Sequence, residues 1–412
     1  MTVPVAIVGG GIGGLALALE LHAAGVECRV FESVPRLSAV GVGINLLPHA
    51  TRQLDRLGLL PQLSAAAVST RESVFFNRFG QHIHTEPTGV AAGYRWPQFS
   101  IHRGDLQAVL ADAVRARLGP DALVTGHTCV DAAEDSTGVT LTFALPDGTT
   151  TTQRAAAVVG CDGIHSAIRK QLHPDEGEPV YSGYTMWRGV TVHEPIRSGA
   201  SMIRAGWLAT GKLVVYPIRD AVDAAGRQLV NWVVEIETPQ HTGRDWNRAG
   251  RAEDFLGHFA DWHFDWLDVP ALLRGAESVL EYPMVDQDPL PWWGTARVTL
   301  LGDAAHPMVP RGSNGGGQAI LDAAALAKAL RTHATIPDAF AAYEQLRRPA
   351  TAAVVRANRT NPPDAILREV YERTGDRPFD TIGEVITESE LDAILTNYKR
   401  TAGYSLTALS EA

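Results

Sequence analysis

At 412 residues the chain is too long for one ordinary core and suggests two or three units of roughly 100 to 200 residues each. Hydrophobic residues make up 45% and charged residues 20%, the balance of a packed globular protein, so disorder is not the default. With 36 basic against 46 acidic side chains and a formal charge of -10, no broad cationic field exists; this argues against a nucleic-acid or anionic-membrane partner and for a small-molecule ligand.

Val5-Ala6-Ile7-Val8 is a continuous apolar run ended by Gly9-Gly10-Gly11, which predicts a parallel strand buried on both faces. It has no basic leader, so it does not read as a signal peptide. Residues 12–24 predict a helix stopped by Gly25, and residues 28–31 predict a second strand with Glu32 at its tip, closing a βαβ unit. Helical stretches at 51–59 and 104–118 alternate with strand-like ones at 73–76 and 81–84. A hairpin is expected over 139–143 and 150–155, turning at Pro146-Asp147-Gly148, followed by a separate buried strand at 156–159. Period-two patterns at 187–192, 213–216 and 230–236 predict a separate antiparallel sheet, and 246–264 has helical spacing. A third buried strand, 298–301, leads into Gly302-Asp303. The glycines from Gly312 to Gly317 then open an alanine-rich helix to about Leu330, and further helices follow, broken at Pro362-Pro363. No apolar stretch reaches the ~20 residues of a membrane span.

Cys28, Cys129 and Cys161 are widely spaced and lack a Cys-x-x-Cys pattern, so they read as packed thiols in a reducing cytoplasm. No acidic or histidine cluster reads as a metal site. Gly9-x-Gly11-x-x-Gly14, between a buried strand and a helix, has the context of a dinucleotide fingerprint. One glycine permits the tight turn, one lets backbone approach a pyrophosphate, and one lets helix pack on strand. The helix N-terminus offers free N–H groups to the phosphates, and Glu32 would accept from the adenosine ribose. This motif alone leaves NAD and FAD open.

The runs Leu300-Leu301-Gly302-Asp303-Ala304-Ala305-His306-Pro307 and Val159-Gly160-Cys161-Asp162-Gly163-Ile164-His165-Ser166 decide between them. With the N-terminal motif, they resemble the ordered fingerprints of the single-component flavoprotein aromatic hydroxylases, the para-hydroxybenzoate hydroxylase fold. Trp187-Arg188-Gly189-Val190, Leu229-Val230-Asn231-Trp232-Val233, Asp245-Trp246-Asn247-Arg248 and Tyr282-Pro283-Met284-Val285-Asp286 resemble the phenazine-modifying members of that family.

The resemblance implies an α/β fold with a Rossmann-like FAD-binding domain, an interleaved antiparallel-sheet substrate domain and C-terminal helices. The FAD domain is expected from 1–70, 100–180 and 280–335, the substrate domain from 71–99 and 181–279, and the helical region from 336–412. It also implies FAD as bound cofactor, NADH or NADPH as transient co-substrate, and a flavin hydroperoxide that hydroxylates a small aromatic or N-heteroaromatic ring with O2. Asp303 would bind the ribityl chain, Arg103 and Gln107 the ribityl and pyrophosphate region, and Asp162-Gly163 both FAD and the nicotinamide nucleotide. Val42 and Gly43 would pass beside the flavin ring, while Pro310, Gly312, Asn314, Gly315 and Gly316 would approach its pyrimidine side. Ile12, Gly13, Ser33 and Val130 complete the implied cofactor set.

Trp187, Val215, Tyr216 and Trp232 are candidates for an aromatic pocket or, equally, for plain core. Arg311 stands where an uncharged residue is expected, and either meets a substrate carboxylate or points to solvent. No catalytic side chain is assigned, because the cofactor carries the chemistry. A dehydrogenase without oxygen insertion, a decarboxylative hydroxylase and a non-catalytic flavin-binding protein remain as alternatives. The protein is expected to be a cytoplasmic monomer or homodimer.

Overall fold

The computed structural model describes residues 3–37, 41–239 and 248–410. Strand β1 (Val3–Val8), helix α1 (Ile12–Ala23) and strand β2 (Cys28–Phe31) form the expected βαβ unit. β3 (Gly43–Leu46), α2 (Pro48–Arg56), α3 (Leu60–Ala66) and β4 (Ala67–Thr70) follow, then the hairpin β5 (Glu72–Phe76) and β6 (His82–Pro87), and β7 (Gln98–His102), which runs directly into α4 (Arg103–Leu118). The chain continues through β8 (Leu123–Val124), β9 (Thr128–Asp135), β10 (Gly138–Ala144), β11 (Thr150–Gly160) and α5 (Ala167–Leu172). Next come β12 (Val180–His193), β13 (Ser201–Trp207), β14 (Gly211–Arg219), β15 (Gln228–Glu237), β16 (Arg248–Ala249), β17 (His263–Phe264), β18 (Leu267–Asp268), α6 (Val269–Arg274) and β19 (Val279–Asp286). Finally β20 (Val298–Leu300) leads to α7 (Gly315–Thr332), α8 (Ile336–Thr360), α9 (Ala365–Thr374), α10 (Glu388–Ala402) and α11 (Leu406–Ser410).

Two large sheets organise these elements. The first has seven strands, ordered β8-β2-β1-β11-β10-β9, with β20 added beside β11. Its strands β1, β11 and β20 are parallel and apolar, and α1 and α7 pack together against it. The hairpin and the buried strand expected around residue 155 are one strand. β11 pairs antiparallel with β10 as far as Ala155, then parallel with β1 from Ala155 to Gly160. Its composition changes from threonine to alanine and valine where it passes from the sheet margin to the interior.

The second sheet has eight strands, ordered β16-β19-β12-β15-β14-β13-β5-β6. All its pairings are antiparallel except β13 with β5. β19 carries this sheet on to Asp286, beyond the break expected at 279. β3, β7 and β4 form a small sheet between the two. The helix expected over 246–264 is not formed in its described part: Gly250 and Gly257 interrupt it, and two 3-10 turns, Ala252–Asp254 and Leu256–Phe259, lay Phe255, Phe259 and Trp262 on the outer face of the large sheet. Asp245, Trp246 and Asn247 lie outside the described residues. Among the described residues no helix is long and apolar enough to cross a membrane.

Candidate active site

The neighbouring strands β1, β11 and β20 end at the same edge, so their three turns meet although they are far apart in sequence. Cys161 N donates to Val8 O at 2.7 Å, and Leu301 N donates to Gly160 O at 2.9 Å. The fingerprint glycines have separate reasons to be there. Gly9 is left-handed (φ 110°) and a Cβ on it would lie 2.3 Å from Cys161 O; one on Gly14 would lie 2.0 Å from Gly9 O. Gly13 packs against Leu301 and Ala319, bringing α1 onto α7. A Cβ on Gly11 would meet no protein atom within 4 Å, so packing does not require its glycine and the opening is left for a ligand. Ile12 is buried behind this turn. Glu32 accepts from Gly10 N at 2.6 Å, from Ser33 Oγ at 2.9 Å and from Val34 N at 2.9 Å, which fixes its carboxylate beside the glycine turn.

The side chains expected along the cofactor fall around the same opening. Gln107 Nε2 donates to Gly10 O at 2.8 Å. Asp303 is solvent-accessible at its tip yet crowded by protein; that burial raises its carboxyl pKa, against the opposing charges of His306 and Arg103. A Cβ on Gly315 would lie 3.8 Å from Asp303 Oδ1, and one on Gly316 would lie 2.9 Å from Ile44, with Ile12 4.0 Å away. The residues of four separate motifs are thereby in mutual contact. Helix α7 starts at Asn314 with no side-chain cap, leaving its first N–H groups to a ligand. The turn before it, Arg311–Ser313, leaves Pro310 exposed and holds Gly312 at φ 74°.

Asp322, buried on α7, ties this region together. Its carboxylate accepts from Arg347 Nε at 2.6 Å, pairs with His306 Nε2 at 2.5 Å and accepts from Gly302 N at 3.2 Å. Burial would raise its pKa, but His306 and Arg347 outweigh burial and hold it below the usual carboxylate range.

One expected cofactor side chain is otherwise engaged and another lies on the surface. The Asp162 carboxylate accepts from Ser166 Oγ at 2.6 Å and from Ala167 N at 2.8 Å, so it caps α5; only the backbone around Gly163 (φ 73°) stays open. Val130 is 52% exposed on β9.

The large sheet faces this opening with residues other than those expected. Strand alternation turns Trp187, Val215 and Trp232 to the far face, where they pack with Phe255; Trp232 Nε1 donates to Thr191 Oγ1 at 3.1 Å. They are core and do not wall the pocket. Tyr216 is on the near face. Val42 is buried at the end of the loop leading to Gly43. Gly43 is gripped from the sheet: Asn231 Oδ1 accepts from its N–H at 2.7 Å, while Arg188 Nη2 and Tyr216 Oη donate to its carbonyl at 2.5 and 3.0 Å. The same face carries an apolar patch of Tyr184, Met186, Leu208, Val233, Met284 and Val309.

Sequence reasoning missed Tyr184, Arg188, Asn231 and Tyr398. The available signal was phase, since Asn231 is a polar residue between Val230 and Trp232 and must face the other way. Arg311 is not directed to solvent: it is 8% exposed and lies over the Tyr184 ring at 4.3 Å. A cavity of about 40 Å³ beside Gly312 and Ser313 is lined by Leu47, Phe75, Met202 and Tyr404. Another of about 230 Å³ is lined in part by Tyr184 and Arg311.

The glycine opening, the Glu32 carboxylate held beside it, the exposed Asp303 and the uncapped helix start fit a dinucleotide flavin. A family model described as an FAD binding domain matches residues 2–358. The chain is 45% identical over 361 residues to the phenazine 1,6-dicarboxylic acid hydroxylase PhzS of Lysobacter antibioticus, covering 86% of this chain and 89% of that protein. It is 36% identical over 365 residues to the 3-amino-4-hydroxybenzoate 2-monooxygenase PtnB3 of Streptomyces platensis, covering 86% of each. A salicylate hydroxylase substrate complex superposes with a TM-score of 0.74 at 25% identity, covering 100% of this chain and 97% of that one.

Proposed function

The chain belongs to the FAD binding domain family of flavin-dependent aromatic monooxygenases, and on that premise we propose that its substrate is a fused N-heteroaromatic ring of the phenazine kind. It is an FAD-dependent monooxygenase that takes electrons from NAD(P)H and oxygen from O2. The observation that carries the substrate reading is the 45% identity to a phenazine hydroxylase over 86% of the chain. The apolar patch around Tyr184, Met186 and Val233 supports it.

When bound, FAD supplies the redox chemistry that passes electrons to O2 and an oxygen atom to the ring. The chain's own residues would position it and keep water out. Glu32, already oriented by three donors, would accept from the adenosine ribose. The backbone at Gly11 would approach the pyrophosphate, Asp303 would accept from ribityl hydroxyls, and Arg103 would offset the negative charge nearby. The first N–H groups of α7 would stabilise negative charge on the pyrimidine side of the reduced ring. The three-point grip on Gly43 holds one wall of the opening in place, and the apolar patch excludes water from the reacting ring. A cytoplasmic setting is supported by the free thiols of Cys28, Cys129 and Cys161.

The test is a panel of phenazines, hydroxybenzoates and N-heteroaromatic acids offered to the FAD-loaded protein with NADH. Phenazines are expected to accelerate NADH oxidation most, with O2 consumed and a product heavier by one oxygen atom. Acceleration without oxygen in the product would instead mean a dehydrogenase.

A further inference from the structure

We propose that the cavity beside the Arg311 turn binds the carboxylate of an aromatic acid, gripped side-on by Arg311 Nε and Nη2 and by the Tyr184 hydroxyl. This rests on the aromatic-monooxygenase reading and adds the group by which the substrate is recognised.

The Nε and Nη2 hydrogens of an arginine lie along one edge and match the two oxygens of a carboxylate. Three other arginines of this protein fill that edge. Arg169 gives it to Glu176, Arg359 gives it to both oxygens of Asp286 at 2.9 and 2.8 Å, and Arg347 divides it between Asp322 and Gln318. In Arg311 both atoms are buried and have no hydrogen-bond partner. Tyr184 is 2% exposed and its hydroxyl is also unpartnered, and the two residues line the same cavity of about 230 Å³ with Ser182, Leu208, Asn358 and Arg359. The Arg311 guanidinium sits over the Tyr184 ring, 4.3 Å from its centroid, while its Nε/Nη2 edge stays free.

The carboxylates near Arg311 are already engaged by other cations. Lys212 and Arg204 already share Asp364, and Lys212 also pairs with Glu235 at 2.6 Å. Arg359 takes Asp286 and Asp288, so the Nε/Nη2 edge of Arg311 is left without a carboxylate, although Asp364 acts on it through space. A buried donor edge without a partner is costly, so a ligand that supplies acceptor oxygens and negative charge is favoured over a neutral isostere. Burial pushes the Tyr184 hydroxyl pKa far up, so it remains a donor. Arg311 also begins the turn that feeds α7, which places the carboxylate anchor on the loop that faces the flavin.

The FAD-loaded protein is titrated with phenazine-1,6-dicarboxylic acid, salicylate and 6-hydroxynicotinate, each beside its amide, with binding read by calorimetry and by the flavin absorbance. At least one acid should bind about 10- to 100-fold more tightly than its amide. Arg311→Met should abolish that preference while leaving amide affinity and FAD content unchanged, Arg311→Lys should restore part of it, and Tyr184→Phe should weaken it less. Without ligand, Arg311→Met should melt no lower than the parent protein, because it removes a buried donor edge that has no partner; a structural role would lower the melting point. An acid preference that survives in Arg311→Met, or acids that never out-bind their amides, overturns the proposal. Amides hydroxylated as readily as acids would sink this proposal alone, whereas no aromatic compound stimulating NADH oxidation would sink the monooxygenase reading beneath it.

Discussion

The hydroxyl of Tyr398 accepts a hydrogen bond from Asn314 Nδ2 at 2.9 Å, joining helix α10 to the residue that starts α7. The same hydroxyl donates to Asn358 Oδ1 at 2.7 Å, and a Cβ on Gly312 would lie 1.9 Å from it. The C-terminal helices therefore hold the glycine loop in shape. Tyr398→Phe leaves Asn314 and Asn358 without their buried partner and should cost about 1–3 kcal/mol of stability. FAD should be lost more readily on dilution, as measured by retained flavin after gel filtration, alongside a lower melting temperature.

Gly43 offers a steric test. A Cβ at this position would stand 2.6 Å from Tyr216 Cε2 and 2.8 Å from Asn231 Cβ, both on the rigid sheet. Gly43→Ala should destabilise the protein by about 1–3 kcal/mol through overpacking. Asn231→Ala, which leaves the Gly43 N–H unpaired, should cost a similar amount. Urea denaturation of each would show it, and unchanged midpoints would mean that the grip contributes nothing.

Asp322 sets an acid limit. Its folded pKa is depressed, so its contribution to stability is fully present above the ordinary aspartate value of about 3.9 and fades as pH falls through the folded value. Asp322→Asn should lose about 3–5 kcal/mol at neutral pH, because Arg347 and His306 are left facing a neutral amide. Comparing denaturation of the two proteins down the acid range should show their stabilities converging as the carboxylate of the parent protonates.

His49 acts at milder pH. It is fully buried beneath Tyr404, and neither ring nitrogen has a hydrogen-bond partner. Burial and then the Arg347 charge push its pKa down to about 3, although nearby Asn314 favours the charged form. Between about pH 6.5 and that value the unfolded chain binds a proton that the folded chain refuses, so stability falls as pH falls, by up to ~1.4 kcal/mol per pH unit. His49→Leu should flatten this slope between neutrality and about pH 5. Equal slopes in the two proteins would refute the assignment.

The parts of this fold that could be read in the sequence are those set by local rules. Strand Cys28–Phe31 and helix Ile12–Ala23 follow from an apolar run, a glycine turn and a helix-stopping Gly25, all within one βαβ unit. The large sheet was legible as strands but not as faces. Trp187 and Trp232 drew attention by size, yet the phase of their strands turns them outward, and the smaller Asn231 and Tyr216 reach the site. Strand β13 escaped notice because Arg204 and Gly206 interrupt its apolar pattern. Asp162 carries a cofactor fingerprint in sequence but spends its carboxylate on a helix cap, which depends on how the chain bends after Gly163. Tyr398 was out of reach, since its partners at 312–314 and 358 are set by packing and no spacing rule connects them.

The long strand β11 has a consequence for biosynthesis. It and β1 can pair once residue 160 has left the ribosome, but the third member of the trio, Val298–Leu300, and the helix that follows it are made much later. A nascent chain must therefore carry a half-built nucleotide edge, with its β11 margin unpaired, while six of the eight strands of the large sheet are being translated. Such long-range closure is slow and leaves strand edges open to misassembly. Flavin capture should accordingly be a late event, and the newly made protein most dependent on chaperones just before α7 emerges.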